Sequence, residues 1–525
     1  MSRICSFSRR GTMKRISWAL KGLVAITALT AVQTTQAAEY IVKYRSSAFF
    51  SSMNSMNMQV LDTHDSANLA KVNIPESGKI NAMLSMYSNP NVEYIVPNIR
   101  LRSFLMPVNM NPTALRSQWA ITKVKAEEAW TRAGNKGNKS VVVAVIDTGV
   151  DYRHAALVPN MVPGYNFKNK NDDPMDKTGM QNPGHGTHCA GVVGSTGLQD
   201  GGTIGLSPNV SIMPLRFLDE NGGGDLMDGI KAIDWAIEKG ATVISASWGA
   251  KVSRSQAQPL VEAVERAGKA GIPFVVAAAN DGQNNDKTEY YPTNAGTDNT
   301  IAVAASNSSD AKPSWSNYGK AKVHVSAPGE NIVSTLPGNK YGDLSGTSMA
   351  TPLVAGLVAL LKAQDPSLTP LQLRSLLQAS GDKVGISVAC DCRVNAFTAV
   401  DMLLNKTPFV SPNALTMAKG ETRAFEAVFG TAPFQFASSN AAVATIDASG
   451  VMTAVAEGET TVSITDAAGK TATSYKIYVG QPQSTPGNPG DPGNPGGDPG
   501  SCPIGDAAMC EIICQIMPDA PFCSK

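Results

Sequence analysis

Three short polar motifs carry side chains that together could perform acyl transfer. Asp147 opens an Asp-Thr-Gly motif after an apolar run, His185 lies in Gly-His-Gly-Thr-His-Cys, and Ser348 lies in Gly-Thr-Ser-Met-Ala-Thr-Pro. A serine hydroxyl is a weak nucleophile until a base takes its proton, and a carboxylate can hold a histidine base in the right tautomer. Each motif alone is a weak signal, but the three together predict a nucleophilic triad.

Short apolar runs predict the parallel sheet that would position these motifs. Nearly continuous apolar runs suit strands that are buried on both faces of a parallel sheet. Asp147 would then lie at the carboxyl end of one strand, where open α/β sheets place their sites. The runs occupy residues 141–146, 241–245, 272–276 and 300–304.

Helical patterns lie between these runs. Leu226, Ile230 and Ile233 repeat at helical spacing ahead of Gly240, which is a typical residue after a helix end. Strands that alternate with helices predict a doubly wound α/β domain with a mostly parallel sheet over residues 112–405.

Three further regions flank this domain. Residues 39–106 show a strand–helix–strand pattern and predict a small α+β unit, and residues 407–480 contain short strands between turn residues, as in a β-sandwich. Residues 481–501 repeat Pro-Gly-Asn and Pro-Gly-Asp, which predicts a solvated linker because such a segment cannot bury a core. A cysteine-rich tail follows at residues 502–525.

Composition and the amino terminus limit the classes of function. The 525-residue chain has 44 basic and 43 acidic side chains, which gives no electrostatic basis for binding nucleic acid. Residues 1–38 combine a basic stretch, a short apolar run and small residues, which predicts an export signal; a short membrane anchor is the alternative. We therefore expect a secreted protein with no membrane span in its mature form.

The motifs resemble those of the subtilisin-like serine proteases, the subtilase or peptidase S8 family, and particularly its proteinase-K-like and thermitase-like members. The resemblance covers residues from about 115 to 400. It implies a serine endopeptidase with the triad Asp147, His185 and Ser348, and with Asn280 as the side-chain donor of the oxyanion hole. Further matching motifs are Ser247-Trp-Gly249, Ala278-Ala-Asn280, Trp315-Ser-Asn-Tyr-Gly319, Ala327-Pro-Gly329 and Ser345-Gly-Thr-Ser-Met-Ala-Thr-Pro352.

The resemblance also assigns roles to residues around the triad. His188 is the competing base, and by resemblance it is the packed, non-catalytic histidine. Two segments resemble the strands that pair with an extended substrate. Because no concentrated acidic patch is visible in the sequence, we expect broad cleavage of proteins and peptides with an apolar preference. The segments are Ser247, Trp248 and Gly249, and Gly222, Gly223 and Gly224.

The resemblance also implies functions for the two units that flank the α/β domain. Residues 39–106 resemble an inhibitory propeptide, which would act as an intramolecular inhibitor until self-cleavage near residues 102 to 111. A plain accessory domain is the alternative. Residues 407–480 resemble a bacterial Ig-like domain of group 2, for which we expect a surface ligand.

An oxygen-rich loop directly before His185 is a candidate calcium site. Hard oxygen ligands suit Ca²⁺, and the stretch resembles a calcium loop of thermitase-like subtilases, with a structural ion. A solvated acidic turn is the alternative. The candidate ligands are Asp172, Asp173, Asp176, Thr178 and Gln181.

The cysteines predict disulfides and one bystander thiol. Cys189 lies four residues after His185 and is expected to remain unpaired. Cys390 and Cys392 form either a local bridge or two thiols. In an exported chain the four cysteines of the tail favour disulfides over zinc; these are Cys502, Cys510, Cys514 and Cys523.

Two other functions are compatible with this sequence. The first is an adhesin in which an inactive protease fold serves as a scaffold, and the second is a peptide transacylase on the same fold. Casein hydrolysis that a serine-directed fluorophosphonate blocks would argue against the adhesin. Product masses in the presence of amine acceptors would identify the transacylase.

Overall fold

The computed structural model describes residues 38–53, 58–106, 118–197 and 202–480. The expected linker, the cysteine-rich tail and nearly all of the expected export signal lie outside the described residues. In the described part of the chain, no helix is both long enough and apolar enough to cross a bilayer.

The N-terminal unit, residues 38–106, is built on a four-stranded antiparallel sheet in the order β2-β3-β1-β4. One face of the sheet packs under its helices, and the other, which includes Ile41, Leu69 and Val96, joins the core of the next domain. The unit ends in a separate strand, β5. Its elements are β1 Ala38–Tyr44, α1 Ala48–Met53, β2 Gln59–His64, β3 Leu69–Ile74, α2 Lys79–Ser88, β4 Val92–Pro97 and β5 Arg100–Ser103.

This unit has more strands than the sequence pattern predicts. The strand–helix–strand pattern corresponds to β1, α2 and β4, and the structure adds the hairpin of β2 and β3. Strand β2 is an edge strand whose side chains are mostly half-buried, so it lacks the alternation by which a strand is recognised.

The α/β domain, residues 118–406, contains a nine-stranded sheet in the order β18-β19-β15-β14-β12-β10-β6-β8-β7. All neighbouring pairs are parallel except β18 with β19. Its helices are α3 Trp119–Lys123, α4 Ala126–Ala133, α5 His185–Gly194, α6 Leu226–Glu238, α7 Arg254–Lys269, α8 Thr347–Gln364, α9 Pro370–Ser380 and α10 Ala396–Leu404. Its strands are β6 Val142–Asp147, β7 Tyr165–Asn166, β8 Ser211–Arg216, β9 Gly223–Asp225, β10 Val243–Ala246, β11 Trp248–Lys251, β12 Phe274–Ala277, β13 Tyr290–Tyr291, β14 Thr300–Ser306, β15 Val325–Pro328, β16 Ile332–Leu336, β17 Lys340–Leu344, β18 Asp382–Lys383 and β19 Cys392–Arg393.

The central strands are covered on both faces, which confirms the predicted doubly wound class. In β6, Val143 and Val145 pack in the core that contains α5 and α8. Ala144 and Ile146 pack in the opposite core with α6 and α7. Because strand side chains alternate between the two faces, a fully apolar strand is needed wherever both faces are buried.

The β-domain, residues 407–480, consists of short strands, and it shares an apolar core with the α/β domain through Phe409 and Val428. The stretch 422–429, which reads as one strand, divides at Phe425 into two strands that pair with different partners. The strands are β20 Phe409–Ser411, β21 Leu415–Met417, β22 Thr422–Ala424, β23 Glu426–Val428, β24 Gln435–Ser438, β25 Ala444–Ile446, β26 Val451–Ala454, β27 Gly458–Thr460, β28 Val462–Thr465, β29 Thr471–Thr473 and β30 Ile477–Val479.

Polar contacts surround this shared core. The hydroxyl of Tyr475 in the β-domain donates to the carboxylate of Asp391. Arg423 pairs with Asp298 at 2.6 Å across the same boundary.

Candidate active site

The predicted carboxylate and base meet at the carboxyl edge of the central sheet. Asp147 is the last residue of β6, and His185 is the first residue of α5. Nδ1 of His185 and Oδ1 of Asp147 are 2.7 Å apart, and both side chains are buried. Nε2 of His185 has no hydrogen-bond partner among the described residues, so a lone pair on that nitrogen can accept a proton.

Asn182 holds the start of α5. The first N–H groups of a helix have no partner within the helix, and Oδ1 of Asn182 accepts from the N–H groups of Gly184 at 3.0 Å and His185 at 2.7 Å. Asn182 was not predicted from the sequence as a functional residue. Its signal was an asparagine just before a helix start, which is a typical capping residue.

Asp176 ties the loop after β6 to α5 and is buried. Its Oδ1 accepts from the hydroxyl of Thr148 at 2.8 Å, and its Oδ2 accepts from the N–H and the hydroxyl of Thr187 at 3.0 and 2.6 Å. Burial is the largest influence on this carboxyl and raises its pKa, and the nearby charge of Asp147 acts in the same direction. Thr148 directly follows Asp147, and Thr187 lies two residues after His185. The hydrogen bonds of Asp176 therefore help to fix the positions of both Asp147 and His185.

The hydroxyl of Ser348 faces a carbonyl group of the N-terminal unit. Ser348 is the second residue of α8. Its Oγ donates to the carbonyl oxygen of Phe104 and, at 3.0 Å, to that of Ser247. The chain itself therefore brings one peptide carbonyl to the predicted nucleophile.

The same carbonyl receives a hydrogen bond from Asn280. Nδ2 of Asn280 donates to the oxygen of Phe104 at 2.7 Å. Oδ1 of Asn280 accepts from the N–H of Thr347 at 2.9 Å, which fixes the amide with its NH₂ toward that carbonyl. At Gly346 a Cβ would lie 2.7 Å from the oxygen of Phe104, so only glycine leaves room for it. This arrangement can stabilise negative charge on the carbonyl oxygen.

Strand β5 lies in a cleft between β9 and β11, antiparallel to both. The six residues predicted to pair with an extended substrate line this strand. Trp248 and Gly249 pair with residues 103 and 102, and Gly223 and Gly224 pair with residues 102 and 101. The carbonyls of Gly222 and Ser247 accept from the N–H groups of residues 103 and 104.

The ring of Phe104 packs against the backbone at Gly249. A Cβ at Gly249 would lie 2.8 and 3.0 Å from Cζ and Cε2 of Phe104. The close contact of the Phe104 ring with this backbone therefore depends on the absence of a side chain at Gly249. Phe104 was not predicted from the sequence, because no local motif marks it.

Comparison of the sequence with known proteins identifies the family to which the chain belongs. The model of the subtilase family, Peptidase S8, matches residues 138–394. The chain is 38% identical over 317 residues to the thermophilic serine proteinase of Bacillus sp. (strain AK1), which covers 60% of this chain and 74% of that protein. The chain belongs to the subtilase family.

Other subtilases show similar agreement. Thermitase of Thermoactinomyces vulgaris is 38% identical over 285 residues, covering 54% of this chain and 95% of that protein. The major intracellular serine protease of Bacillus subtilis (strain 168) is 37% identical over 262 residues, covering 50% and 78%. The model of the bacterial Ig-like domain (group 2) matches residues 407–477. The protein is therefore a subtilase, a serine endopeptidase, with an Ig-like domain.

The second histidine of the subtilase motif is neutral and packed. Nε2 of His188 lies 2.8 Å from the carbonyl oxygen of Ile332. Burial lowers the pKa of His188 to about 3, against the opposing effect of this carbonyl. A ring that stays neutral and faces a carbonyl from inside the core serves packing.

Cys189 is a buried free thiol in this subtilase. Its Sγ donates to the carbonyl oxygen of Ser348 at 3.4 Å. Burial raises the pKa of the Cys189 thiol, and the charge of Asp147 raises it further. A protonated thiol is a poor nucleophile, so the sulfur lies beside the reacting groups as a bystander.

A mercurial on Cys189 is expected to inhibit the enzyme. Added bulk between α5 and α8 should displace His185 or Ser348, and a displacement of about 1 Å can cost about 100-fold in rate. Cys189→Ala should keep most activity and lose the sensitivity, measured by peptide hydrolysis after different preincubation times. A Cys189→Ala enzyme as inactive as Ser348→Ala would contradict the bystander role, and equal inhibition of the variant would place the sensitive sulfur elsewhere.

The predicted calcium loop does not gather its carboxylates into one cluster. Both oxygens of Asp176 accept hydrogen bonds from threonines, as described above, so this residue is used inside the protein. Oδ1 of Asp173 accepts from the hydroxyl of Tyr152 at 3.0 Å. The remaining candidates, Asp172, Thr178 and Gln181, are exposed. An ion here would depend on Asp172, Asp173 and backbone carbonyls.

Cys390 and Cys392 form a disulfide. Of the two alternatives for this pair, the structure has the local bridge. The turn between the two cysteines presents Asp391, which contacts Tyr475 of the β-domain.

Proposed function

We propose that this protein is a secreted subtilase zymogen that cleaves itself between Phe104 and Leu105 and then hydrolyses proteins after apolar residues. The position of the Phe104 carbonyl, in contact with Ser348 and Asn280, carries this proposal. Export depends on the signal sequence predicted at residues 1–38, and the Ig-like domain would bind a surface ligand.

The reaction follows from the side chains around that carbonyl. Rotation of the Ser348 side chain brings its hydroxyl to Nε2 of His185, which takes the proton while Oγ bonds to the carbonyl carbon of Phe104. Asp147 stabilises the imidazolium and fixes its tautomer. The charge that develops on the oxygen is held by Asn280 and by the N–H of Ser348, which has no partner within its helix.

The second half of the reaction releases the two products. His185 returns the proton to the nitrogen of Leu105 as the carbon–nitrogen bond breaks, which leaves an ester between residue 104 and Ser348. Water, deprotonated by His185, then hydrolyses this ester and frees the serine. The same steps apply to any peptide that enters the cleft in place of β5.

The N-terminal unit would inhibit the enzyme until it leaves. Strand β5 fills the cleft, and the unit is also held by an ion pair of Lys43 with Glu262 at 3.1 Å and by a hydrogen bond between His64 and Asp234 at 2.6 Å. Because the cleaved strand pairs with both β9 and β11, it would remain as a bound product and block substrates. Inhibition thus ends only when the unit dissociates or is degraded.

Mass analysis of the released N-terminal fragment tests the proposal. Its carboxyl-terminal residue should be Phe104, and later trimming of the mature enzyme cannot alter that end. The purified enzyme should hydrolyse casein, and a serine-directed fluorophosphonate should block this activity. Absent casein activity would favour the adhesin, casein activity that the fluorophosphonate does not block would contradict the serine mechanism, and amide products formed with amine acceptors would favour the transacylase.

A structural calcium ion in the loop at residues 171–181 is part of the proposal. Chelation should then shorten the half-life at elevated temperature while leaving the initial rate almost unchanged, because the ion stabilises the folded state without taking part in the chemistry. A ligand at 100 times its dissociation constant contributes about 2.7 kcal/mol. The half-life of a variant with Asp172→Asn and Asp173→Asn should respond little to chelator. If excess chelator did not change the inactivation rate of the wild-type enzyme, the loop would be a solvated acidic turn that binds no calcium ion.

A further inference from the structure

The strand in the cleft makes a charged contact well away from the reacting carbonyl. Counting Phe104 as the first residue before the cleaved bond, Arg100 is the fifth. Its guanidinium pairs with the carboxylate of Asp219. The contact lies between a residue of the bound chain and a residue of the catalytic domain, so its chemistry can bear on substrate choice.

Asp219 is held in place independently of the bound strand. Its Oδ1 accepts from the N–H groups of Asn221 at 2.9 Å and Gly223 at 3.0 Å, on the turn that leads into β9. Its Oδ2 faces Arg100. The side chain of Asp219 is 10% exposed, against 51% for Arg100. A fixed, mostly buried carboxylate therefore meets a half-exposed cation at the rim of the cleft.

This carboxylate is ionised in the bound state. Burial acts to raise the pKa of Asp219, but the N–H groups of Gly223 and Asn221 and the charge of Arg100 outweigh it and hold the pKa below its ordinary value.

The neighbouring acidic groups face other cations. Glu220 lies 4.0 Å from Arg216 of the same domain. Asp225, which is opposite Arg100 in the strand register, pairs with Lys71 of the N-terminal unit at 3.3 Å. Lys71 leaves with that unit, so in the mature enzyme the Asp219→Asn variant is needed to separate the effect of Asp219 from that of Asp225. In the described part of the chain, Arg100 is the cation that pairs with Asp219, and a substrate that replaces β5 would meet the same carboxylate.

We infer that Asp219 is a specificity-determining residue that favours Arg or Lys as the fifth residue before the cleaved bond. The inference rests on the proposed function, because it takes β5 as the guide to a substrate. The enzyme would then prefer a basic side chain at this fifth position as well as an apolar side chain directly before the cleaved bond. The basic preference would come from the single carboxylate of Asp219, although the sequence shows no concentrated acidic patch.

Two peptides that differ only at this position provide the test. Both follow residues 101–106, Leu-Arg-Ser-Phe-Leu-Met, and are preceded by either Arg or Gln. The mature enzyme should cleave the Phe–Leu bond of the Arg peptide with a kcat/KM about three- to tenfold higher, as fits a partly exposed ion pair. Asp219→Asn should remove this ratio while keeping the turn, and the matched control Glu220→Gln should retain it.

Salt provides a second readout that needs no variant. The wild-type ratio should fall toward one as ionic strength rises, because salt screens a charge pair that is partly exposed to solvent. A wild-type ratio of one at low salt, or an unchanged ratio in Asp219→Asn, would overturn the inference and leave the proposed function standing. If the enzyme cleaved neither peptide and did not hydrolyse casein, both the inference and the proposed function would be overturned.

Discussion

The Ser348→Ala protein is expected to accumulate as a folded, uncleaved precursor. In the proposed self-cleavage the bond after Phe104 depends on the same nucleophile as any substrate, and loss of the triad serine in subtilisin lowers turnover by about 10⁶. The substitution removes one buried oxygen and adds nothing that must be accommodated, so folding should be retained. Electrophoresis and intact mass after expression in a protease-free host would show the uncleaved chain.

A nearby serine provides the control for this result. Oγ of Ser345 accepts from the N–H of Asn331 at 2.8 Å and takes no part in the reaction. Ser345→Ala should mature normally. If Ser348→Ala still released a fragment ending at Phe104 in such a host, self-cleavage by Ser348 would be ruled out.

The Asn280→Ala enzyme should lose a factor of about 10² to 10³ in kcat, with KM almost unchanged. Loss of one oxyanion donor has this cost in subtilisin, and here Asn280 donates at 2.7 Å to the carbonyl of Phe104, which is the proposed reacting carbonyl. Self-cleavage should slow by the same factor, so precursor and mature enzyme should be present together during expression, unlike the precursor alone in Ser348→Ala.

Steady-state kinetics on a peptide substrate would measure this effect. Gln283 is a half-buried side chain three residues further on, and its amide makes a 3.3 Å contact with the carbonyl of Asp281. Gln283→Ala should behave as the wild-type enzyme. A defect of Asn280→Ala confined to KM would show that the amide binds the ground state only.

The sequence was most informative where the signals were local. The strand ending at Asp147 is apolar because both of its faces are buried, and the glycines and small residues around His185 and Ser348 reflect tight helix packing. Such signals predicted the α/β class, which the structure confirms, and the residues that the structure brings together at the cleft.

Where an outcome depends on distant packing, the sequence was less informative. Asp176 looked like a calcium ligand because it lies in an acidic stretch, but its side chain turns inward to Thr148 and Thr187. Phe104 is in contact with Ser348 because β5 enters between two strands more than 100 residues away. No motif near residue 104 encodes that alignment, so the sequence alone predicted self-cleavage only within residues 102 to 111.

The apolar core shared by the Ig-like and subtilase domains has a geometric consequence. Phe409 and Val428 are buried together with side chains of α9 and α10, and Tyr475 and Arg423 add polar contacts around them. A domain joined in this way cannot swing on a hinge. A surface bound by the Ig-like domain would therefore lie at a fixed distance and orientation from the cleft. The enzyme would then cleave only bonds that lie at that distance from the bound surface.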